Sequence, residues 1–178
     1  TPYFSKWPSA LGMGATRDSL LVYEHAKIVR EEYKAIGIRV ALGPMADTAT
    51  EPRWTRINGT FGEDAELNSK LITAYIKGIQ GDSIDINSVA AMVKHFPGSG
   101  PLDKGKDSHF PPGIQSYKGN NFEHHLKPFE AAFKAGVSSV MPFYSIPKGI
   151  TSEDIGAGYN KDIITGLLRE RYNFKGII

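Results

Sequence analysis

The 178-residue sequence contains no cysteine, which excludes disulfide bonds, thiol catalysis and cysteine-based zinc sites. It also has almost no excess of charge, since 21 Lys and Arg residues stand against 19 Asp and Glu residues, for a formal net charge of +2. This small excess gives no argument for a nucleic-acid partner or an anionic membrane surface. No apolar run reaches the ~20 residues of a transmembrane helix. We therefore expect no nucleic-acid and no membrane partner, while the cellular compartment stays open.

The composition is that of a globular domain, with 40% hydrophobic and 22% charged residues. The length suits one domain, but a complete (β/α)8 barrel takes about 250 residues. The chain begins with Thr1 instead of Met. We therefore expect the chain to be processed, tagged or excised from a parent protein.

Four stretches have apolar residues at the spacing of one helix face. Asp18 precedes the first as a typical N-cap and Gly37 follows it as a typical helix end. Short apolar runs without polar alternation lie between these stretches, which favours strands of a parallel sheet covered on both faces. The order predicts an α/β fold with about four parallel strands alternating with helices. The predicted helices are residues 18–36, 65–79, 121–135 and 160–172, and the predicted strands are residues 38–42, 89–93, 137–143 and 176–178.

The connections between these elements differ in length. Two of the helix-to-strand connections are a single glycine, Gly37 or Gly136, whereas the strand-to-helix connections are the long segments 43–64, 94–120 and 144–159. In barrels and open α/β sheets, functional residues lie at the carboxyl ends of the strands. The candidate site should therefore be built from the long segments, and no internal repeat or linker divides the chain.

Residues 94–100 (KHFPGSG) directly follow the predicted strand 89–93. Lys94 and His95 should thus emerge at its carboxyl end, where an ammonium with three donors and an imidazole with a donor and an acceptor can hold the hydroxyls of a polar ligand. The alternative is a solvated lysine and a packed histidine before a turn. Tyr144, at the end of the strand 137–143, could line the same pocket or close the core.

Residues 51–56 (EPRWTR) lie in the loop after the first strand. Arginine offers a fixed fork of donors and tryptophan an apolar platform, and both suit sugars and carboxylates. An internal role is equally open, because Arg–Glu pairs can hold a long loop rigid. We expect one of the two arginines, Arg53 or Arg56, to be structural and the other to face a ligand.

Asp107 and His109 can orient one another, as a general acid or base requires, although an Asp-x-His pair is also common in ordinary loops. His109 does not form a standard metal set with His124 and His125, because adjacent histidines on a helix face different ways. Residues 100–106 match a phosphate loop up to its lysine, but Asp107 stands where Ser or Thr must hold magnesium. We therefore expect no metal and no other cofactor.

Taken together, these segments resemble glycoside hydrolase family 3 over nearly the whole chain. Residues 46–56, 61–64 and 78–81 are similar to the first signature block of the family, and residues 94–100 are similar to the second. The match is nearest to the multidomain β-glucosidase-like branch, where residues 120–131 also fit. The resemblance implies a partial (β/α)8 TIM-type barrel, in which residues 1–178 form a single partial domain without the first strands and without everything after the sixth strand.

The resemblance also implies roles for individual residues. By position, Arg56, Lys94 and His95 resemble the residues that hold the hydroxyls of the glycone, the sugar whose bond is cleaved, and Tyr144 resembles a tyrosine that lines this subsite. Asp107 and His109 resemble the acid/base pair of the single-domain N-acetylglucosaminidase branch. Because their spacing from Lys94 is longer by two residues here, an acid/base role and a sugar contact both stay open.

The implied activity is that of a retaining, exo-acting β-glycosidase, β-glucosidase-like, which hydrolyses the O-glycosidic bond at the non-reducing end of β-glycosides. Retention needs a carboxylate nucleophile, and the family pattern places it just beyond Ile178. The isolated chain is therefore expected to be inactive, with a carbohydrate substrate and the remainder of the parent chain as partners, and a homo-oligomer left open. Alternatives are a non-catalytic sugar-binding module derived from such a barrel, and an open α/β binding protein with chance matches.

Overall fold

The computed structural model describes residues 3–178, apart from the side chain of Asn120. Helices and strands alternate along most of this length, as the hydrophobic pattern predicts. The helices are α1 (Ala10–Ala15), α2 (Ser19–Ala35), α3 (Ala65–Gln80), α4 (Phe122–Lys134) and α5 (Asp162–Arg171), of which α5 has π-helical hydrogen bonding. The strands are β1 (Val40–Ala41), β2 (Ala90–Phe96), β3 (Ile114–Gln115), β4 (Ser139–Pro142) and β5 (Ile146–Pro147).

The strands β1, β2 and β4 lie side by side in a parallel sheet, with Val40 opposite Ala90 and Met92 opposite Ser139. Beyond β4, Ser139 also forms a parallel bridge to Ile177. The four predicted strand segments therefore pair in the predicted parallel order. The fourth is represented by this single bridge.

The ends of the helices follow from their capping residues. The Asp18 carboxylate accepts the backbone N–H groups of Leu20 and Leu21, which have no partner inside α2. Asp64 does the same at the start of α3. Gly37, after α2, has φ of +84°, a conformation that glycine adopts without steric cost. These boundaries match the predicted helices to within two residues.

The core lies between the parallel sheet and the faces of the helices. Each large apolar side chain that is fully buried contributes about 1.5–3 kcal/mol. Gly78 allows α3 to approach α2 closely, because a Cβ at this position would lie 2.5 Å from the Tyr23 carbonyl oxygen. The core includes Val22, Leu71, Ile72, Ile76, Ile79, Val89, Val93, Phe96, Leu126, Phe129, Ile163 and Leu168.

Gln80, the last residue of α3, is buried and joins three segments of the chain. Its Oε1 accepts the backbone N–H groups of Ala91 in β2 (2.9 Å) and Ser138 before β4 (3.0 Å). Its Nε2 donates to the Gly136 carbonyl (3.0 Å). The side chain thus satisfies three backbone polar groups at the amino-terminal end of the sheet, opposite the long loops; Ala91 is buried, Ser138 is half-buried and Gly136 is exposed.

One predicted boundary is wrong in a way that affects the site. The strand predicted at 89–93 continues to Phe96, so Lys94 and His95 belong to β2 instead of following it. The reason is that the backbone hydrogen bonding of β2 continues beyond its apolar residues. The Lys94 N–H donates to the Pro44 carbonyl (3.0 Å) on one side, and β4 pairs with β2 on the other side.

The remaining differences concern short or edge elements. The helix α1 and the parallel pair β3–β5 were not predicted, and β3–β5 lies inside the two long loops that follow β2 and β4. The strand β1 is shorter than the predicted 38–42, and Val40 and Leu42 are 50% and 60% exposed instead of covered on both faces. Within residues 3–178, no helix has the length and apolarity needed to cross a bilayer.

Candidate active site

Lys94 and Arg56 place two positive charges near each other at the carboxyl end of the sheet. Burial lowers the pKa of Lys94, the Arg56 guanidinium lowers it further, and Asp47 opposes both effects. In the described part of the chain, neither cation forms an ion pair. Their N–H groups therefore remain available for the oxygens of a ligand.

The neighbouring arginine has a different role. Arg53 makes a two-point contact with Glu51, with Nε 2.8 Å from Oε1 and Nη2 2.7 Å from Oε2. The Arg53 side chain and its backbone N–H hold the pKa of Glu51 at about 2. Arg53 is thus the structural arginine of this loop, which leaves Arg56 as the candidate ligand contact.

His95 is buried against Asp47, a residue that the sequence reasoning did not assign to the site. Nδ1 of His95 lies 2.9 Å from Oδ2 of Asp47, and the backbone N–H of His95 also donates to this carboxylate. Burial alone would raise the pKa of Asp47, but the His95 imidazole and the amides of His95 and Ser99 lower it below its ordinary value. The carboxylate is therefore ionised at neutral pH. Its position within the first signature block was the one signal available in the sequence.

Asp107 and His109 form the second carboxylate–imidazole pair. Nδ1 of His109 lies 2.6 Å from Oδ1 of Asp107, and the same oxygen accepts the His109 backbone N–H (2.9 Å). The two contacts with His109 lower the pKa of Asp107, and the Arg56 guanidinium lowers it further. Burial acts in the opposite direction, but its effect is smaller than that of the two contacts together. The His109 side chain is 48% exposed, so it can meet a ligand.

Aromatic side chains connect the two pairs. The Phe143 ring lies 4.6 Å from the His95 ring and 6.4 Å from the His109 ring, measured between centroids. The Tyr144 ring meets His109 edge-on at 5.0 Å. Phe143 is buried with Trp54 and others in a small cluster, whereas Tyr144 is 61% exposed. Phe143, and not Tyr144, therefore closes the core at this point.

The structure thus brings the predicted site residues Arg56, Lys94, His95, Asp107, His109 and Tyr144 to one end of the sheet. The other histidines lie elsewhere. His125 is buried in α4 beside Thr50 and Tyr117. Among residues 3–178, no three His, Cys, Asp or Glu side chains are grouped so that they could hold a metal ion.

Parallel strands alternating with helices, with polar and aromatic side chains gathered where the strands end, define a TIM-barrel-type protein with a candidate site at its carboxyl face. The sequence matches the Glycosyl hydrolase family 3 N terminal domain over residues 3–178. The chain therefore belongs to glycoside hydrolase family 3, which confirms the resemblance seen in its motifs.

Two curated relatives are similar over almost the whole chain. Beta-glucosidase C of Emericella nidulans is 52% identical over 177 residues, which are 98% of this chain and 29% of that protein. The periplasmic beta-glucosidase/beta-xylosidase of Dickeya chrysanthemi is 46% identical over 183 residues, with 98% and 28% covered. The chain thus spans less than a third of the length of these relatives.

Solved structures show the same fold. The crystal structure of beta-glucosidase from Listeria innocua in complex with glucose superposes with a TM-score of 0.88 at 30% identity, and covers 99% of this chain and 24% of that one. A glycoside hydrolase family 3 beta-N-acetylglucosaminidase from Paenibacillus sp. gives a TM-score of 0.82 at 31% identity, with 96% and 31% covered. The predicted α/β fold of the TIM-barrel type is thereby confirmed.

Proposed function

We propose that this chain is part of a retaining, exo-acting β-glycosidase of the β-glucosidase type, in which it supplies the wall that binds the glycone. The observation that carries this proposal is the placement of Lys94, Arg56 and His95 at one end of the parallel sheet, with both cations lacking an ion-pair partner in the described chain. A pyranose offers several hydroxyls to such a set of donors, and three relatives that are 50–52% identical are named as β-glucosidases.

The chemistry suits a reaction through an oxocarbenium-like transition state. Hydrogen bonds to the hydroxyls of the glycone strengthen as positive charge develops on the ring, so they lower the barrier in addition to binding the sugar. Tyr144, exposed beside His109, offers an aromatic edge and a hydroxyl to the same sugar.

Asp107 and His109 are proposed as the candidate acid/base pair. Asp107 holds Nδ1 of the imidazole, so that Nε2 is the nitrogen directed to a ligand. An imidazole oriented in this way can protonate a leaving group or hold a sugar hydroxyl, and both roles need the same contact between the two residues.

The nucleophile of the retaining mechanism is proposed to be a carboxylate that follows Ile178. The two carboxylates within the described site are each held by a histidine, Asp47 by His95 and Asp107 by His109. Asp47 is moreover fully buried. Burial excludes Asp47 as the nucleophile and Asp107 is engaged by His109, which supports residues 1–178 being one partial domain of a longer enzyme.

The test compares the full-length protein that contains this chain with the 178-residue chain alone. The full-length protein should hydrolyse 4-nitrophenyl β-D-glucopyranoside, and NMR should show that the first-formed sugar is the β-anomer. The chain alone should show no turnover. Turnover by the purified 178-residue chain would overturn the placement of the nucleophile, and glucose binding without any turnover by the full-length protein would favour the non-catalytic sugar-binding module.

A further inference from the structure

Next to His95, one of the residues proposed to bind the glycone, the Asp47 carboxylate is completely enclosed by donors from β2 and the turn that follows it. Oδ1 accepts the Ser99 N–H (2.6 Å), both oxygens lie 3.2 Å from the His95 N–H, and Oδ2 lies 2.9 Å from Nδ1 of His95. No part of Asp47 is exposed. It therefore cannot touch a substrate, and any effect that it has on a reaction must pass through the groups that it holds.

We propose that Asp47 is a positioning residue that fixes the His95 imidazole in one tautomer and one orientation for its contact with the glycone. This proposal rests on the proposed function of the site. With Nδ1–H donated to Asp47, Nε2 is the nitrogen presented to a ligand, and no hydrogen bond within residues 3–178 uses it. Carboxylates that hold the far nitrogen of a ligand-binding histidine commonly have this effect.

Asp47 is itself held firmly, which a positioning residue requires. The preceding Ala46 donates its N–H to the Lys94 carbonyl (2.7 Å), and Met45 forms a parallel bridge with Lys94. The segment before Asp47 thus extends the pairing of β1 with β2, and the carboxylate is anchored to the same strand that carries His95. The Phe143 ring packs against the imidazole at 4.6 Å and limits its rotation.

The competing explanation is that Asp47 only satisfies the backbone amides of His95 and Ser99 and thereby holds the turn in place. That role would act on stability and would not depend on the imidazole. A double-mutant cycle between Asp47→Asn and His95→Ala distinguishes the two explanations, because it measures whether the effect of one change needs the other residue.

The cycle uses the full-length enzyme, with kcat and KM measured on 4-nitrophenyl β-D-glucopyranoside and thermal unfolding measured in parallel. Asp47→Asn should lower kcat/KM by about 10–100-fold, mainly through kcat, as is usual for residues that orient a functional histidine. In the His95→Ala background the same change should lower kcat/KM by less than about 3-fold. Asp64→Asn is the matched control, since this carboxylate also accepts two backbone amides but at the start of α3; its kcat/KM should equal that of the wild type.

Equal losses of kcat/KM in the two backgrounds would overturn the proposal, as would a loss of stability without a change in kcat/KM. If Asp47→Asn does not fold, Asp47→Ser replaces it in the cycle, and failure of both to fold would show that Asp47 serves folding instead. Failure of the proposed function gives a different result, namely no turnover by the wild type. The cycle is then measured as glucose binding by calorimetry, where the same dependence on His95 is expected.

Discussion

Nδ1 of His109 lies 2.6 Å from Oδ1 of Asp107, and the same oxygen accepts the backbone N–H of His109. The carboxylate thus fixes both the position of the residue and the orientation of its imidazole. The ring is half exposed and lies against Tyr144. A histidine held in this way acts together with its carboxylate, and mutations of the two residues should reveal this coupling.

Asp107→Asn and His109→Ala are expected to be strongly non-additive in kcat/KM. Each change alone should cost about 10–100-fold, and the double variant should cost little more than His109→Ala, because Asp107 acts through the imidazole. The measurement is steady-state kinetics of the full-length enzyme on an aryl β-glucoside. Independent, multiplying losses would show that the two side chains do not work as a pair.

The leaving group of the substrate then separates the two roles of His109. A 2,4-dinitrophenyl leaving group needs no proton, whereas a methoxy leaving group does, so loss of an acid affects the second substrate far more. If His109 is the acid, His109→Ala should leave kcat/KM for the dinitrophenyl glucoside nearly intact and should lower kcat/KM for the methyl glucoside strongly. An equal loss on both substrates would assign His109 to the binding of a sugar hydroxyl.

Lys94→Ala and His95→Ala should each lower kcat by about 10–100-fold in the full-length enzyme, with smaller changes in KM. A hydrogen bond to a charged group is worth about 1.5–3 kcal/mol, and here the bond strengthens as the oxocarbenium-like state forms. Lys148→Ala, at an exposed position, is the control for removal of a lysine side chain. A rise in KM with kcat intact would mean that these contacts bind the substrate and its transition state equally.

Arg56 and Arg53 provide a matched pair within one loop. Arg56→Ala should lower kcat/KM by about 10-fold or more, because its guanidinium has no ion-pair partner in the described chain and is left for a ligand. Arg53→Ala removes the contact with Glu51, and should change kcat/KM by less than about 3-fold, because the Arg53 side chain is largely exposed and is already paired with Glu51 instead of facing a ligand. Kinetics of the two variants should therefore differ clearly. A larger loss of kcat/KM for Arg53→Ala than for Arg56→Ala would mean that Arg53 contacts the ligand and Arg56 is structural.

The sequence was sufficient to predict the helices and the parallel order of the strands, because Asp18, Asp64 and the glycines that end the helices act locally. It also grouped the candidate site residues, since they follow neighbouring parallel strands. Asp47 could not be assigned from the sequence, because the donors that bury its charge lie 48 and 52 residues further along the chain. The pair β3–β5 could not be predicted from the sequence for a similar reason. Strands of two residues show no hydrophobic periodicity, and they form only where their partner is present.

Gln80→Ala should destabilise the protein by about 1–3 kcal/mol without changing kcat/KM. The change leaves the buried N–H of Ala91 without a partner, which carries this cost, and it also removes the partner of the half-buried Ser138 N–H and of the exposed Gly136 carbonyl. Urea unfolding measures the effect, with Asn87→Ala at an exposed position as the control. A loss below about 1 kcal/mol would show that water replaces the side chain at the end of the sheet.

His125 should make the stability of the protein fall as the pH drops below neutral. Its imidazole is buried beside Tyr117, with Nδ1 lacking a partner within residues 3–178. Burial and, to a smaller extent, the neighbouring His124 lower the pKa of His125 to about 4, whereas Asp47 has the opposite effect. Between about pH 6.5 and pH 4 the unfolded chain binds a proton at this residue that the folded chain does not, so stability rises with pH across that window.

The change in stability attributable to His125 is at most about 3–4 kcal/mol, because its pKa falls from 6.5 to about 4 and each unit corresponds to ~1.4 kcal/mol. Urea unfolding at several pH values from neutral to weakly acid, on wild type and His125→Gln, measures it. The variant should be less stable near pH 7, because it loses the packing of the ring against Tyr117, yet its stability should depend much less on pH within the window. His25→Gln is the comparison, since burial also lowers the pKa of His25 but Glu32 opposes part of this effect. Parallel pH profiles for wild type and His125→Gln would mean that the ring accepts a proton in the folded protein as readily as in the unfolded chain.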